Sequence, residues 1–209
     1  MRFCATRGSG IIIGGINMDY TQSMRDYIST EIRVLQNLDI DELNKAANAI
    51  IECRDRGGNI YTIGNGGSAA TASHMVVDFE KGANECRKDA NDPKAVPFKF
   101  ECLADNTPIM TALANDISYE DVFVFQLKKK LRPEDLLIAI SGSGNSKNII
   151  KAVEYAKSIG TKVVGLTGYS GGKLAELSDY RMHVAINDMQ ITEDVHMMFD
   201  HMLLRVFSL

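Results

Sequence analysis

Long apolar runs are missing from this chain of 209 residues. Nothing approaches the roughly 20 consecutive apolar residues of a membrane-spanning helix, so no membrane partner is expected. A basic excess is missing as well. Lys and Arg number 23 against 27 Asp and Glu, a formal net charge of -4, and such a balance offers no attractive field to nucleic acid. Cysteine is sparse: Cys4, Cys53, Cys86 and Cys102 are scattered and form no C-x-x-C pair. That excludes a disulfide framework or a zinc ribbon and fits a reducing, cytoplasmic compartment. No linker divides the chain, and no repeat of solenoid period runs through it. What remains is ordinary globular material, 45% hydrophobic and 24% charged, long enough for one large domain with its own core.

The first 17 residues, "MRFCATRGSGIIIGGIN", carry an apolar patch too short for a signal-peptide core, with no small-residue cleavage site after it. Residues 1–17 are read as an extension, disordered or foreign to the native chain, and 18–209 as a single domain. From Asp19 to about Leu38, Met24, Ile28, Ile32 and Leu35 recur at helical spacing, and a second helix over Ile40–Arg56 is stopped by Gly57-Gly58. "NIYTIG" reads as a buried strand, and "AATASHMVVDFEKG" as a helix ending near Gly82. "ANECRKDANDPKA" reads as a loop and "VPFKFECL" as an alternating strand. "TPIMTALAND" reads as a helix capped by Thr107 with Pro108 at its first position. Further strands are expected at "DLLIAI", "KVVGLTG" and "YRMHVAI", with helices at Tyr119–Lys130, "KNIIKAVEYAKSIG", "GGKLAELS" and about Ile191 to Ser208. Alternating strands and helices imply a central parallel sheet covered on both faces, a three-layer α/β/α sandwich preceded by a helical hairpin.

Two glycine turns stand out. "IGNGGS" and "ISGSGNS" each follow a strand and open a helix. In open α/β sheets ligands bind beyond the carboxyl ends of strands, where helix N-termini offer free N–H groups to anions. "GNGGSA" fits a variant of the dinucleotide fingerprint. The acidic residue about 20 positions on that would hold a ribose is not convincingly placed, since Asp78 and Glu80 come too early. Nor is there the GK[ST] ending of a P-loop. Ser141, Ser143 and Ser146 suit a terminal phosphate with its three oxygens. The plain alternative is a pair of tight strand-to-helix turns made of small residues.

"GNGGSAATASH", "ISGSGNSKNIIKA" and "TGYSGGKLAEL" together resemble the sugar isomerase (SIS) domain, and most closely its phosphoheptose isomerase branch, over about residues 20–208. The resemblance implies the SIS fold and a homotetramer with active sites at subunit interfaces. It also implies isomerisation of sedoheptulose 7-phosphate to D-glycero-D-manno-heptose 7-phosphate through an enediol. Ser141, Ser143 and Ser146 would hold the phosphate, with Gly142 and Asn145 in the same turn. Asn65, Gly66 and Ser68 would line the sugar site, and Asp116 of "LANDISYED" would stand near the substrate.

Polar side chains also cluster elsewhere. His74 and Asp78 lie four apart and share a helix face. "ITEDVHMMFDHMLL" carries Glu193, Asp194, His196, Asp200 and His201 in an otherwise apolar helix. The plain reading is a helix with one solvated face and carboxylates near its N-terminus. Glu193 and His196 also make an E-x-x-H unit of the di-iron kind, but a second unit is missing. His183, in a strand, reads as structural. In the resembled branch a zinc ion is held by four residues that map onto His74, Asp78, Glu193 and His201. Asp78 stands where the branch has glutamate, and Glu193 where it has glutamine. Glu193 and His201 are eight residues apart, roughly 12 Å of helix rise. One ion joins them only if the helix starts late or two subunits contribute. The resemblance assigns the proton transfers to Asp78 and His201. A second reading, motivated by the two substitutions, is a non-catalytic SIS protein that binds a phosphosugar or a replication initiator. A third, a nicotinamide-dependent oxidoreductase, rests on "GNGGSA" alone.

Overall fold

The structure is a computed structural model and describes residues 18–86 and 90–208. The extension read at residues 1–17 lies outside them. Helix α1 (Thr21–Leu35) and helix α2 (Ile40–Asp55) come first. The Asp39 side chain caps α2 by accepting from the Glu42 N–H, and Gly57 in the left-handed region follows its end. Strand β1 (Ile60–Ile63) leads into α3 (Gly67–Val77). There the helix does not simply run on. It widens into π-helical turns over Asp78–Ala83 before a short α4 (Asn84–Cys86). The expected loop therefore begins later than "ANECRKDANDPKA" indicates, because Asn84 is tied into the fold on both sides. Its Nδ2 donates to Phe98 O and its Oδ1 accepts from Phe98 N.

Strand β2 (Phe100–Cys102), α5 (Thr107–Asp116) and a 3-10 turn at Tyr119–Asp121 leading into α6 (Val122–Lys130) come next. The cap of α5 is Asn106, whose side chain accepts from Ile109 N–H. Thr107 is already the first helical residue, so the expected cap is displaced by one position. Strand β3 (Leu136–Ser141), α7 (Lys147–Ser158), β4 (Lys162–Thr167), α8 (Gly172–Leu177), β5 (Tyr180–His183) and α9 (Met189–Phe207) complete the chain.

The five strands form one parallel sheet in the order β2-β1-β3-β4-β5. Alternation along β3 divides the core. Leu136, Ile138 and Ile140 face a layer that includes Ile50 of α2, Met75 of α3 and Phe199 of α9. Leu137 and Ala139 face Phe123 and Leu127 of α6 and Ile149 and Val153 of α7. Both sheet faces are thus covered, as parallel strands require. The order of strands reverses between β1 and β3, and this switch point is where an open α/β sheet leaves a crevice at its carboxyl edge.

Helix α1 behaves differently from the rest. It buries none of its residues. Tyr27, Val34 and Leu35 lean on the core, while Tyr20, Met24, Ile28 and Ile32 are each at least 50% exposed. Its apolar periodicity therefore marks an outward stripe as well as a core contact.

Candidate active site

Both glycine turns sit at that switch point, because β1 and β3 are paired in register, Ile63 opposite Ala139. The first turn enters α3 through Gly66, which has positive φ. The second enters α7 through Ser146, and Gly144 has positive φ. A side chain at Gly144 would also overlap the carbonyl of Gly171, so this tight approach needs glycine twice over.

A reciprocal amide pair ties the two turns together. Asn65 Nδ2 donates to Asn148 Oδ1, and Asn148 Nδ2 donates to Asn65 Oδ1, both at 2.9 Å. Tyr119 OH donates to the same Asn65 Oδ1 at 2.8 Å. With its oxygen engaged twice, Asn65 has one N–H left to offer a substrate oxygen. Within the second turn the Ser141 hydroxyl donates to Ser146 Oγ at 3.2 Å. Ser143 Oγ accepts from Asn145 N–H, and Asn145 Oδ1 accepts from Lys173 N–H. The lysines beside this turn are engaged in exposed ion pairs, Lys147 with Glu120 and Lys173 with Glu154. Turn amides, serine hydroxyls and the α7 N-terminus are thus the groups that would receive an anion.

Helices α3 and α9 bring the titratable residues together. His74, Asp78, Asp200 and His201 each offer a donor atom, and the four atoms lie within 4.8 Å of one another. His74 Nδ1 is 2.9 Å from Asp200 Oδ2 and 3.7 Å from Asp78 Oδ2. The rings of His74 and His201 meet edge to face with centroids 5.2 Å apart. Asp78 stands where α3 gives way to π-helical turns, the kind of irregularity often found at functional sites. Asp200 is fully buried, and its Oδ1 has no hydrogen-bond partner. Burial, reinforced by the nearby Asp78 charge and opposed by the hydrogen bond to His74, pushes its carboxyl up to about 6.

Three of the four residues expected to ligate metal are therefore together, and Asp200 is the fourth member of the group. Glu193 lies elsewhere. Its carboxylate covers Gly67 so closely that a Cβ there would stand 2.5 Å from Oε2. Since α9 begins at Met189, Glu193 and His201 both lie inside one continuous helix, and the late start that would let one ion join them does not occur. Asp116 is exposed at the end of α5 and accepts from the Asn115 side chain; it is not part of the group. His183 pairs with Thr167 Oγ1 at 3.0 Å. His196, in the expected E-x-x-H unit, is buried with neither ring nitrogen hydrogen-bonded. Burial pushes its pKa down to about 4; the Thr167 backbone works the other way without forming a bond of normal geometry.

Sequence reasoning left Asn148, Tyr119 and Asp200 without roles. For Asp200 a signal exists. Gly67 to His74 and Glu193 to Asp200 are both steps of seven residues, so two parallel helices in contact at the first pair meet again at the second.

The fold is that of an α/β domain of the SIS class. The SIS domain profile matches residues 19–168. The chain is 33% identical over 185 residues to a probable phosphoheptose isomerase of Thermoplasma volcanium, covering 88% of this chain and 90% of that one. It is 37% identical over 161 residues to the phosphoheptose isomerase of Helicobacter pylori strain P12, covering 77% and 80%. The solved phosphoheptose isomerase of Neisseria gonorrhoeae superposes with a TM-score of 0.80 at 27% identity, covering 90% of this chain and 98% of that one. The chain belongs to the SIS-domain family, in its phosphoheptose isomerase branch.

Proposed function

We propose that this protein is a phosphosugar isomerase acting on sedoheptulose 7-phosphate and releasing D-glycero-D-manno-heptose 7-phosphate. One observation carries the reading. A serine-lined turn at the carboxyl edge of the sheet and a His/Asp group between α3 and α9 occur together in a fold whose named relatives are phosphoheptose isomerases. Ser141, Ser143 and Ser146 hold the phosphate. Asn65, Gly66 and Ser68 meet the sugar hydroxyls, with Asn65 donating.

The chemistry is a proton transfer between C1 and C2. Asp78 takes the C1 proton while His201 protonates the C2 oxygen, which gives an enediol. Asp78 then returns a proton to C2 as the C1 hydroxyl gives its own to His201. The donor set of two imidazoles and carboxylates fits zinc, and the orphaned oxygen of Asp200 marks a place where a cation would be satisfied. His74, Asp78 and His201 are the residues proposed to hold it. When bound, the ion would polarise the substrate carbonyl.

The protein works as a homotetramer. The exposed stripe Tyr20, Met24, Ile28 and Ile32 supports association. His74 is half-exposed and His201 exposed, so a neighbouring subunit has room to close the site. No described helix is long and apolar enough to cross a membrane. The retained histidines and carboxylates favour catalysis over a purely binding role. Turnover of sedoheptulose 7-phosphate by wild type and by Ser141→Ala and Ser146→Ala tests the proposal. A raised KM in the serine variants supports it, and wild-type conversion no faster than buffer overturns it.

A further inference from the structure

We infer that the chain carries a second binding site, for a nucleoside diphosphate, in a cavity behind the loop that joins β4 to α8. The site stands apart from the isomerase reading and needs no turnover.

The cavity holds about 630 Å3, within the roughly 300–1,000 Å3 of small-ligand sites. It lies at the carboxyl edge of the sheet, where open α/β folds bind ligands. His183, the last residue of β5, lines one side, and the corner between α1 and α2 lines the other. The loop over residues 168–171 separates it from the serine turn. Gly168 N–H donates to Gly142 O at 2.8 Å and the Gly171 carbonyl abuts Gly144, while Ser170 lines the cavity. The same loop holds Tyr169 in the left-handed region at φ 51°, fastened by its N–H to Ile186 O at 3.0 Å. A non-glycine residue kept there is determined by its surroundings, and such residues gather at ligand sites.

The charges around the cavity are unevenly committed. Arg33 lines it from α1, and among the described residues its guanidinium has no ion-pair or hydrogen-bond partner. Arg181 Nε reaches only Glu42 Oε2, at 3.9 Å, and Glu42 is held more closely by Lys45, at 2.6 Å. Two guanidinia with N–H groups to spare suit two phosphate groups. Asp39 Oδ1 is engaged in capping α2, but its other oxygen has no partner among the described residues. That oxygen is placed to accept from a ribose hydroxyl, as an acidic residue does in dinucleotide folds. Val34, Leu38, Leu43 and Ile186 supply an apolar wall for a flat ring. Phosphates, ribose and base together use all of these features, whereas a bare phosphate uses only the arginines.

The cavity is also clear of the stripe that supports association. At about 100° per residue, Arg33 and Asn37 project from the side of α1 opposite Met24 and Ile28.

The test is calorimetric titration of the intact, assembled protein with ADP, GDP, UDP and CDP, with a chelator present so that no metal bridges the phosphates. At least one probe binds at one per chain. Arg33→Gln and Arg181→Gln each weaken it by about tenfold or more. Ser141→Ala, Ser146→Ala and Lys147→Gln, on the other side of the loop, stay within about twofold. Inorganic pyrophosphate and the free nucleoside each bind at least about tenfold more weakly than the diphosphate. Both arginines are exposed, so their variants should fold; circular dichroism checks this, and either variant decides if the other fails. Absence of binding by all four probes, as when a neighbouring subunit fills the cavity, overturns the inference. So do arginine variants that bind like wild type, or serine and Lys147 variants that lose as much as the arginine variants. Pyrophosphate binding as tightly as the nucleotide overturns it too, since the site would then read charge alone. Sugar turnover is measured separately, and its presence or absence leaves the nucleotide result unchanged.

Discussion

His74 Nδ1 and Asp200 Oδ2 approach to 2.9 Å across the contact between α3 and α9. This pair joins two segments 126 residues apart in sequence and gathers the titratable group between the two helices. Asp78 is four residues from His74, and His201 follows Asp200 directly.

Asp78 is the proposed base, so Asp78→Asn should lower kcat by roughly 10²–10⁴ with little change in thermal unfolding. The carboxylate is only partly exposed but is not a core packing element. Steady-state kinetics beside a melting curve checks this. A melting temperature that falls as steeply as the activity would assign Asp78 a structural role.

Tyr119→Phe removes one of the two donors that fix the Asn65 amide. One such bond contributes about 1 kcal/mol, so kcat/KM should fall roughly fivefold while phosphate inhibition stays unchanged. Inhibition by inorganic phosphate, measured on both proteins, separates sugar orientation from phosphate binding.

Much of this was legible in the sequence. The five strands and their order of succession followed from short apolar runs broken by glycine, and the two strand-to-helix turns followed from their glycine and serine content. The rest needed three dimensions. Asn148 and Tyr119 act on Asn65 across distances of 83 and 54 residues, which no local pattern encodes. The π-helical turns after Val77 arise where α3 packs against α9 and β2, and the sequence "VVDFEKGA" reads as ordinary helix. Asp200 sits among apolar residues, where a carboxylate reads as one more polar position until its partner is seen.

Gly144→Ala should destabilise the chain by about 2–4 kcal/mol, since it combines a left-handed backbone with overlap against the Gly171 carbonyl. It should also weaken phosphate binding, because the same turn carries Ser143 and Ser146. Urea unfolding and phosphate titration give the two numbers, and an unchanged midpoint would contradict the packing described.

His196 makes stability sensitive to acid. Its folded pKa, about 4, lies below the ordinary 6.5. Its contribution is therefore full above 6.5 and is lost as pH falls towards 4. Asp200, raised to about 6, has the opposite sign and favours the folded state at low pH. Between pH 7 and pH 4.5, His196→Leu should lose about 2–3 kcal/mol less than wild type, as read from urea midpoints at the two pH values. Equal losses would show that the buried imidazole does not titrate as described.

The central claim is best tested by NMR of sedoheptulose 7-phosphate with the purified protein in D2O, with and without added zinc. The account predicts conversion to the aldose, and a faster rate with zinc; deuterium appears at C2 to the extent that the proton held by Asp78 exchanges with solvent before its return. No conversion under either condition would contradict it.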